Sequence, residues 1–293
     1  MRYRPLGASG TAVSVVSLRL SGERCGGSGQ AWLAAVHAAF ENGVNSFELR
    51  SPTPALLAGF AEAAKALERR LIFVNLRPDP GSTADEIHRQ VDETLAATDL
   101  GHFDLVTLDV DAETHTEAVW ALEDLRASPK VRLMGVAGEG ESVVPHVAGG
   151  VFDVLVAPFN ILSGWRERIR VRTAVERSMA VIASGHFPDS ARDVVVPRQE
   201  RRGWFSKPAP LFSGIGTYAF LNRTPGWTAE EICLAFALTE PSLASVMLEV
   251  NDLEHLAALA EVTERELPSA VAAQIEMARF SAERREGAER RSA

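Results

Sequence analysis

Short apolar runs recur along this 293-residue chain at 13–20, 46–49, 71–76, 105–110, 133–137, 154–157, 180–184 and 244–250. Each run is continuous rather than alternating. A strand with one wet face alternates apolar and polar residues, whereas a strand buried on both faces does not. Between the runs lie amphipathic stretches of helical period at 30–42, 54–70, 84–98, 113–126, 142–148, 165–178 and 228–239. Strands buried on both faces and alternating with helices specify an α/β protein with a parallel sheet. Eight such units predict a closed (β/α)8 TIM barrel, with an open doubly wound sheet as the alternative. Asn42-Gly43 and Gly101 stand where helices should stop.

Three pieces fall outside the repeat. Residues 1–12 carry Leu6-Gly7 and Ser9-Gly10 turn signals and read as a β-hairpin before the first barrel strand. Residues 187–216 are rich in Pro, Gly, Arg and Trp and are too long for an ordinary connection. Residues 281–293 are dense in Glu and Arg and read as a flexible charged tail. The expected organisation is one barrel domain over 1–280 followed by that tail.

Composition excludes several classes of partner. The formal net charge is −9 and no basic stripe tracks a phosphate backbone, which argues against nucleic acid. No apolar run reaches the roughly 18 residues of a membrane helix. Met1-Arg2-Tyr3-Arg4-Pro5 lacks the apolar core of a secretory signal. Cys25 and Cys233 make neither a disulfide framework nor a zinc site, so both are expected reduced, as in the cytoplasm. No H-x-H or H-E-x-x-H spacing occurs, and no metal is expected.

Several segments carry a resemblance to one family. Tyr3-Arg4-Pro5-Leu6-Gly7-Ala8-Ser9-Gly10 with Val13-Ser14 is similar to the opening hairpin of aldo-keto reductases. Asn42-Gly43-Val44-Asn45-Ser46-Phe47 resembles the approach to their second strand, and Phe103-Asp104-Leu105-Val106 their fourth. Ala121-Leu122-Glu123-Asp124-Leu125, Lys130-Val131-Arg132 and Gly135-Val136 resemble their fourth helix and fifth strand. Phe152-Asp153-Val154-Leu155 with Phe159-Asn160 resembles the sixth. The order is right over nearly the whole chain, and the resemblance implies the same barrel.

The resemblance also implies carbonyl reduction with hydride from NADPH, the proton coming from a Tyr tuned by Lys, Asp and His. At the matching positions this chain has Glu48 for the Asp, Thr53 for the Tyr, Asn75-Leu76 for Thr-Lys and Asp109 for the His. Its tyrosines are Tyr3 and Tyr218, and its lysines Lys65, Lys130 and Lys207, none at a strand end. The nicotinamide contacts read Ala137-Gly138, Val156 and Ser184. The loop after the eighth strand, Leu248-Glu249-Val250-Asn251-Asp252, places carboxylates where a 2′-phosphate would need a cation. The expectation drawn from these departures is a barrel without the reductase tetrad and with no cofactor, NADP included.

In their place the strand ends offer Glu48, Arg77, Asp109 and His186 as candidate catalytic residues. Each also has a plainer reading. Glu48 pairs with Arg77 or Arg50, or acts as a base; Asp109 caps or pairs locally, or faces substrate. His186 is a solvent-facing loop histidine, or a general acid–base. Arg77 is a salt-bridge partner, or an anchor for a carboxylate or phosphate. The leading functional expectation is non-redox chemistry (isomerisation, dehydration or hydrolysis) on a small polar metabolite at the barrel mouth. The alternatives are a non-catalytic scaffold docking a partner protein through 187–216, where Trp204-Phe205 stands out, and a divergent NADPH-dependent oxidoreductase.

Overall fold

In the computed structural model, residues 1–22, 27–111, 116–189, 218–250 and 252–292 are described. A hairpin of β1 (Tyr3–Pro5) and β2 (Ala12–Ser14) opens the chain. The barrel strands are β3 (Val16–Ser21), β4 (Ser46–Arg50), β5 (Phe73–Arg77) and β6 (Phe103–Asp109), then β7 (Val131–Ala137), β8 (Val154–Pro158), β9 (Ala180–Ser184) and β10 (Ser245–Leu248). All pair in parallel, and β10 closes the ring by bonding both β9 and β3. This is the expected (β/α)8 barrel with its N-terminal hairpin.

The surrounding helices are α1 (Gly29–Glu41), α2 (Pro54–Ala66), α3 (Ala84–Thr98), α4 (Thr116–Ala127), α5 (Val144–Gly149) and α6 (Trp165–Glu176), then α7 (Ala229–Leu238), α8 (Leu253–Val262) and α9 (Ser269–Ser292). Their starts are written in the sequence. Thr83 and Thr228 form reciprocal capping boxes with Glu86 and Glu231, Thr53 caps α2, and Asp252 caps α8. Among the described residues no helix is long and apolar enough to cross a membrane.

Two apolar shells hold the fold. The outer one lies between strands and helices, where Trp32, Phe47, Phe60, Phe103, Leu122 and Phe159 are buried. The inner one fills the floor of the barrel with Phe73, Leu105, Val154, Val156, Ile182 and Met247, and Leu6 and Val13 of the hairpin pack into it. The hairpin therefore plugs the N-terminal end. Arg4 fixes it there by donating to the carbonyls of Leu238, Glu240 and Leu243 at the end of α7, where the helix's partial negative charge favours a cation.

Local differences from the pattern have local causes. The first apolar run splits into β2 and β3 because the chain turns from hairpin to barrel after Ser14. The second helix ends at Ala66, and Arg69–Leu71 form a 3₁₀ turn. Helix α9 continues through the charged run expected as a tail, whose Ala, Glu and Arg are good helix formers.

Candidate functional site

The wall of the barrel divides by chemistry. Side chains alternate along a strand, so positions two apart share a face. On β7, β8 and β9 the barrel's inner cluster takes Leu133, Ala137, Val154, Val156, Ala180 and Ile182. Strands β3 to β6 instead carry Ser17-x-Arg19-x-Ser21, Ser46-x-Glu48-x-Arg50, Asn75-x-Arg77 and Thr107-x-Asp109. The lowest polar layer is satisfied by hydroxyls, with Ser17 Oγ bonded to Ser46 Oγ at 2.8 Å and Ser245 Oγ at 2.7 Å.

The next layer is ionic. Arg19, Glu48 and Asn75 are successive register partners across β3, β4 and β5. Glu48 is fully buried. Its Oε1 accepts from Arg19 Nε at 2.5 Å, and its Oε2 accepts from Asn75 Nδ2 at 2.9 Å. Thr107 Oγ1 donates to Asn75 Oδ1 at 3.0 Å, and Arg77 Nη1 stands 3.8 Å from Glu48 Oε2. Above them Arg77 grips Asp109 through Nε at 3.0 Å and through Nη2. Arg19 Nη1 also donates to Glu249 at 2.5 Å, beyond the end of β10. Burial opposes the Arg19 charge, but Glu48 and Glu249 outweigh it and hold the guanidinium's pKa above its usual value. Buried charges persist only when paired and hydrogen-bonded in this way.

Arg50 is the exception. Its register partner is Arg77, a like charge, and its Nη2 lies 3.6 Å from Asp109 Oδ2. Burial and then Arg77 push its pKa below the usual arginine value. It lines a cavity of about 460 Å³ together with Arg19, Ser21, Gly22, Ser51, Thr53 and Glu249.

Three of the four candidates therefore converge: Glu48, Arg77 and Asp109 form one network. His186 joins a different group. It is buried rather than solvent-facing, and its Nε2 lies 3.6 Å from Glu230 Oε1, whose other oxygen is 3.1 Å from His255 Nε2. Burial alone would raise the Glu230 carboxyl, but the imidazoles of His186, close by, and His255, within hydrogen-bond distance, bring it down to about 2. Glu230 and His255 sit on α7 and α8 and gave no strand-end signal. Arg19 did: Ser17, Arg19 and Ser21 fall at alternate positions of a run read as continuous, the spacing that marks one face.

Tyr3 donates to Gly43 O, and Tyr218 donates to Ile161 O with its pKa pushed up to about 12 by burial. Lys65 pairs with Glu62 on α2, and Lys130 bonds Asp92. Thr53 caps α2. Cys25, Lys207 and nearly all of 187–216 lie outside the described residues. Cys233 is a buried free thiol.

A closed parallel barrel with its polar network at the C-terminal strand ends defines the class of (β/α)8 barrels. The sequence profile of the Aldo/keto reductase family matches residues 28–279, and the chain belongs to that family. The fold is similar to that of the aldo-keto reductase AKR11C1 from Bacillus halodurans. Its holo form aligns with a TM-score of 0.75 at 17% identity, covering 94% of this chain and 96% of that one. Its apo form gives 0.74 at 17% identity, over 94% and 95%. No curated protein sequence matches.

Membership of an oxidoreductase family overturns two expectations, that the barrel does non-redox chemistry and that it uses no NADP(H). The physical reason lies in how a dinucleotide is held. Backbone amides can hold it as well as side chains, so side-chain departures at strand ends and in one loop do not decide its binding. The mouth's own donors suit such a ligand. Arg19 Nη2 is buried with no hydrogen-bond partner, and Arg50, Ser21, Ser51 and Thr53 add donors for amide, ribose or phosphate oxygens.

Proposed function

We propose that this chain is an NADP(H)-dependent oxidoreductase interconverting a carbonyl and an alcohol on a small polar metabolite at the barrel mouth. Membership of the Aldo/keto reductase family over residues 28–279 carries this reading. When bound, the dinucleotide supplies or accepts a hydride at the carbonyl carbon.

The chain's own contribution is electrostatic. A carbonyl oxygen that gains negative charge is stabilised by fixed positive groups that need not reorganise. Arg19 and Arg50 bring such groups to the cavity, and Arg77 behind them is locked by Asp109 on one side and Glu48 on the other. Glu48 and Asp109 are positioning residues that fix Arg19 and Arg77, and the oxygen takes up one proton from bulk solvent, to which the cavity opens. His186 acts through Glu230 as a brace between β9, α7 and α8. The buried thiol of Cys233, its pKa raised by burial, accords with a reducing cytoplasm.

The test is a titration of NADPH followed by nicotinamide fluorescence, then NADPH oxidation with a panel of small aldehydes and ketones. Saturable binding below about 1 mM is expected, the range of ordinary enzyme–substrate affinities. Asp109→Asn is expected to lower kcat/KM by about tenfold or more, the scale of losing an oriented charge. No binding and no turnover across the panel would end the reading.

A further inference from the structure

We propose that the cavity between the ends of β3 and β4 is an oxyanion subsite, taking a carboxylate or phosphate group with Arg50 as its main ligand. The proposal deepens the reductase reading by naming a ligand class for the same mouth. It rests on that reading only for the source of the anion, substrate or dinucleotide.

The first argument is charge. Arg19 and Arg77 each have tight carboxylate partners, with Arg77 taking both oxygens of Asp109. The Arg50 guanidinium makes no hydrogen bond among the described residues, and its nearest carboxylate oxygen, already bonded to Arg77 Nε, is 3.6 Å away. Its neighbour across the sheet is another arginine. A half-buried guanidinium beside a like charge is unfavourable unless an anion joins it. The planar fork suits the two oxygens of a carboxylate or phosphate.

The second argument is construction. The connection from β4 to α2 is held in an unusual shape: Ser51 has φ 43°, and its Oγ donates to Asp79 Oδ1 at 2.5 Å. A non-glycine residue in this region marks a backbone over-determined by its surroundings, often at a binding site. Opposite it, Gly22 lets β3's end approach Thr53 closely at the cavity's edge, because a Cβ there would collide with Thr53 Cγ2. Arg19 Nη2, on the same wall, is buried and has no hydrogen-bond partner. The start of α2 borders the cavity through Thr53 and adds the field of its amide dipoles.

Calorimetric titration of the full chain with oxalate, and separately with inorganic pyrophosphate, tests the subsite. At least one is expected to bind saturably, and Arg50→Gln to weaken it about tenfold or more. Arg50→Lys should recover part of the loss. Gly22→Ala, which keeps the charge but pushes Thr53 out of place in the cavity wall, should weaken binding too and serves as the test if Arg50→Gln does not fold. Oxalate bound on top of saturating NADPH assigns the anion to substrate, whereas pyrophosphate displaced by NADPH assigns it to the dinucleotide. Oxalate binding without any NADPH binding keeps the subsite and removes the reductase reading. If neither anion binds, or if both bind Arg50→Gln as well as the parent, the proposal is wrong.

Discussion

Arg19 and Glu48 are register partners on adjacent parallel strands, and Arg19 Nε donates to Glu48 Oε1 at 2.5 Å inside the barrel. The pair joins β3 to β4 where a purely apolar barrel would have interdigitated Val, Ile and Leu. From it the network extends to Asn75 and Thr107 on one side and to Glu249 on the other.

Glu48→Gln keeps the shape but leaves Arg19 and Arg77 short of one negative charge in a buried place. Breaking a buried pair by removing one partner costs about 3–5 kcal/mol. Urea unfolding is expected to show a loss of about that size, with an unchanged m value. A loss below about 1 kcal/mol would mean that water screens the pair, contrary to its burial.

Thr107→Val removes the donor to Asn75 Oδ1, which is buried among β5 and β6. An orphaned buried acceptor costs about 1–3 kcal/mol. Because Asn75 also supports Glu48, the Thr107→Val and Glu48→Gln effects are expected to be non-additive in a double-mutant cycle. Strict additivity would show that the two bonds act independently.

Glu230 gives a pH signature. Its folded pKa of about 2 lies below the ordinary 4.5, so it stabilises the fold above about 4.5 and loses that contribution as pH falls towards 2. The parent should therefore exceed Glu230→Gln in stability at pH 7, with the gap narrowing between pH 4.5 and 2. Denaturation at several pH values checks this, and a gap independent of pH contradicts it.

Gly59→Ala tests the packing of α1 on α2. A Cβ at Gly59 would run into the Gly29 carbonyl and lie 2.7 Å from Trp32 Cβ. Overpacking a tight contact costs about 1–3 kcal/mol, which should offset the gain in helix propensity from glycine to alanine. A thermal melt showing Gly59→Ala as stable as the parent would require the helices to separate freely.

Much of this was legible in the residues. The eight continuous runs gave the parallel sheet, and Asn42-Gly43 and Gly101 marked where α1 and α3 stop. Glu48, Arg77 and Asp109 stood out because charged residues at the ends of buried strands must meet something. His186 stands apart from the other three for a related reason. Its place after β9 was visible, but its partners Glu230 and His255 come from α7 and α8, whose approach to it depends on helix packing. The cofactor expectation failed because side-chain identities at strand ends and in the loop after β10 were read as if they alone bound the dinucleotide.

The sequence by itself determined which strands are buried on both faces, where the helices begin and which charges lie at the mouth. Those properties follow from local pattern and spacing, and they suffice to specify the barrel. Only the tertiary structure decided which charge pairs with which. Register sets Arg19 beside Glu48 but Arg50 beside Arg77, and closure brings Glu249 to Arg19 from the far end of the chain. Electrostatic partnership falls off over a few ångströms, and distances of that size are fixed by strand alignment and ring closure.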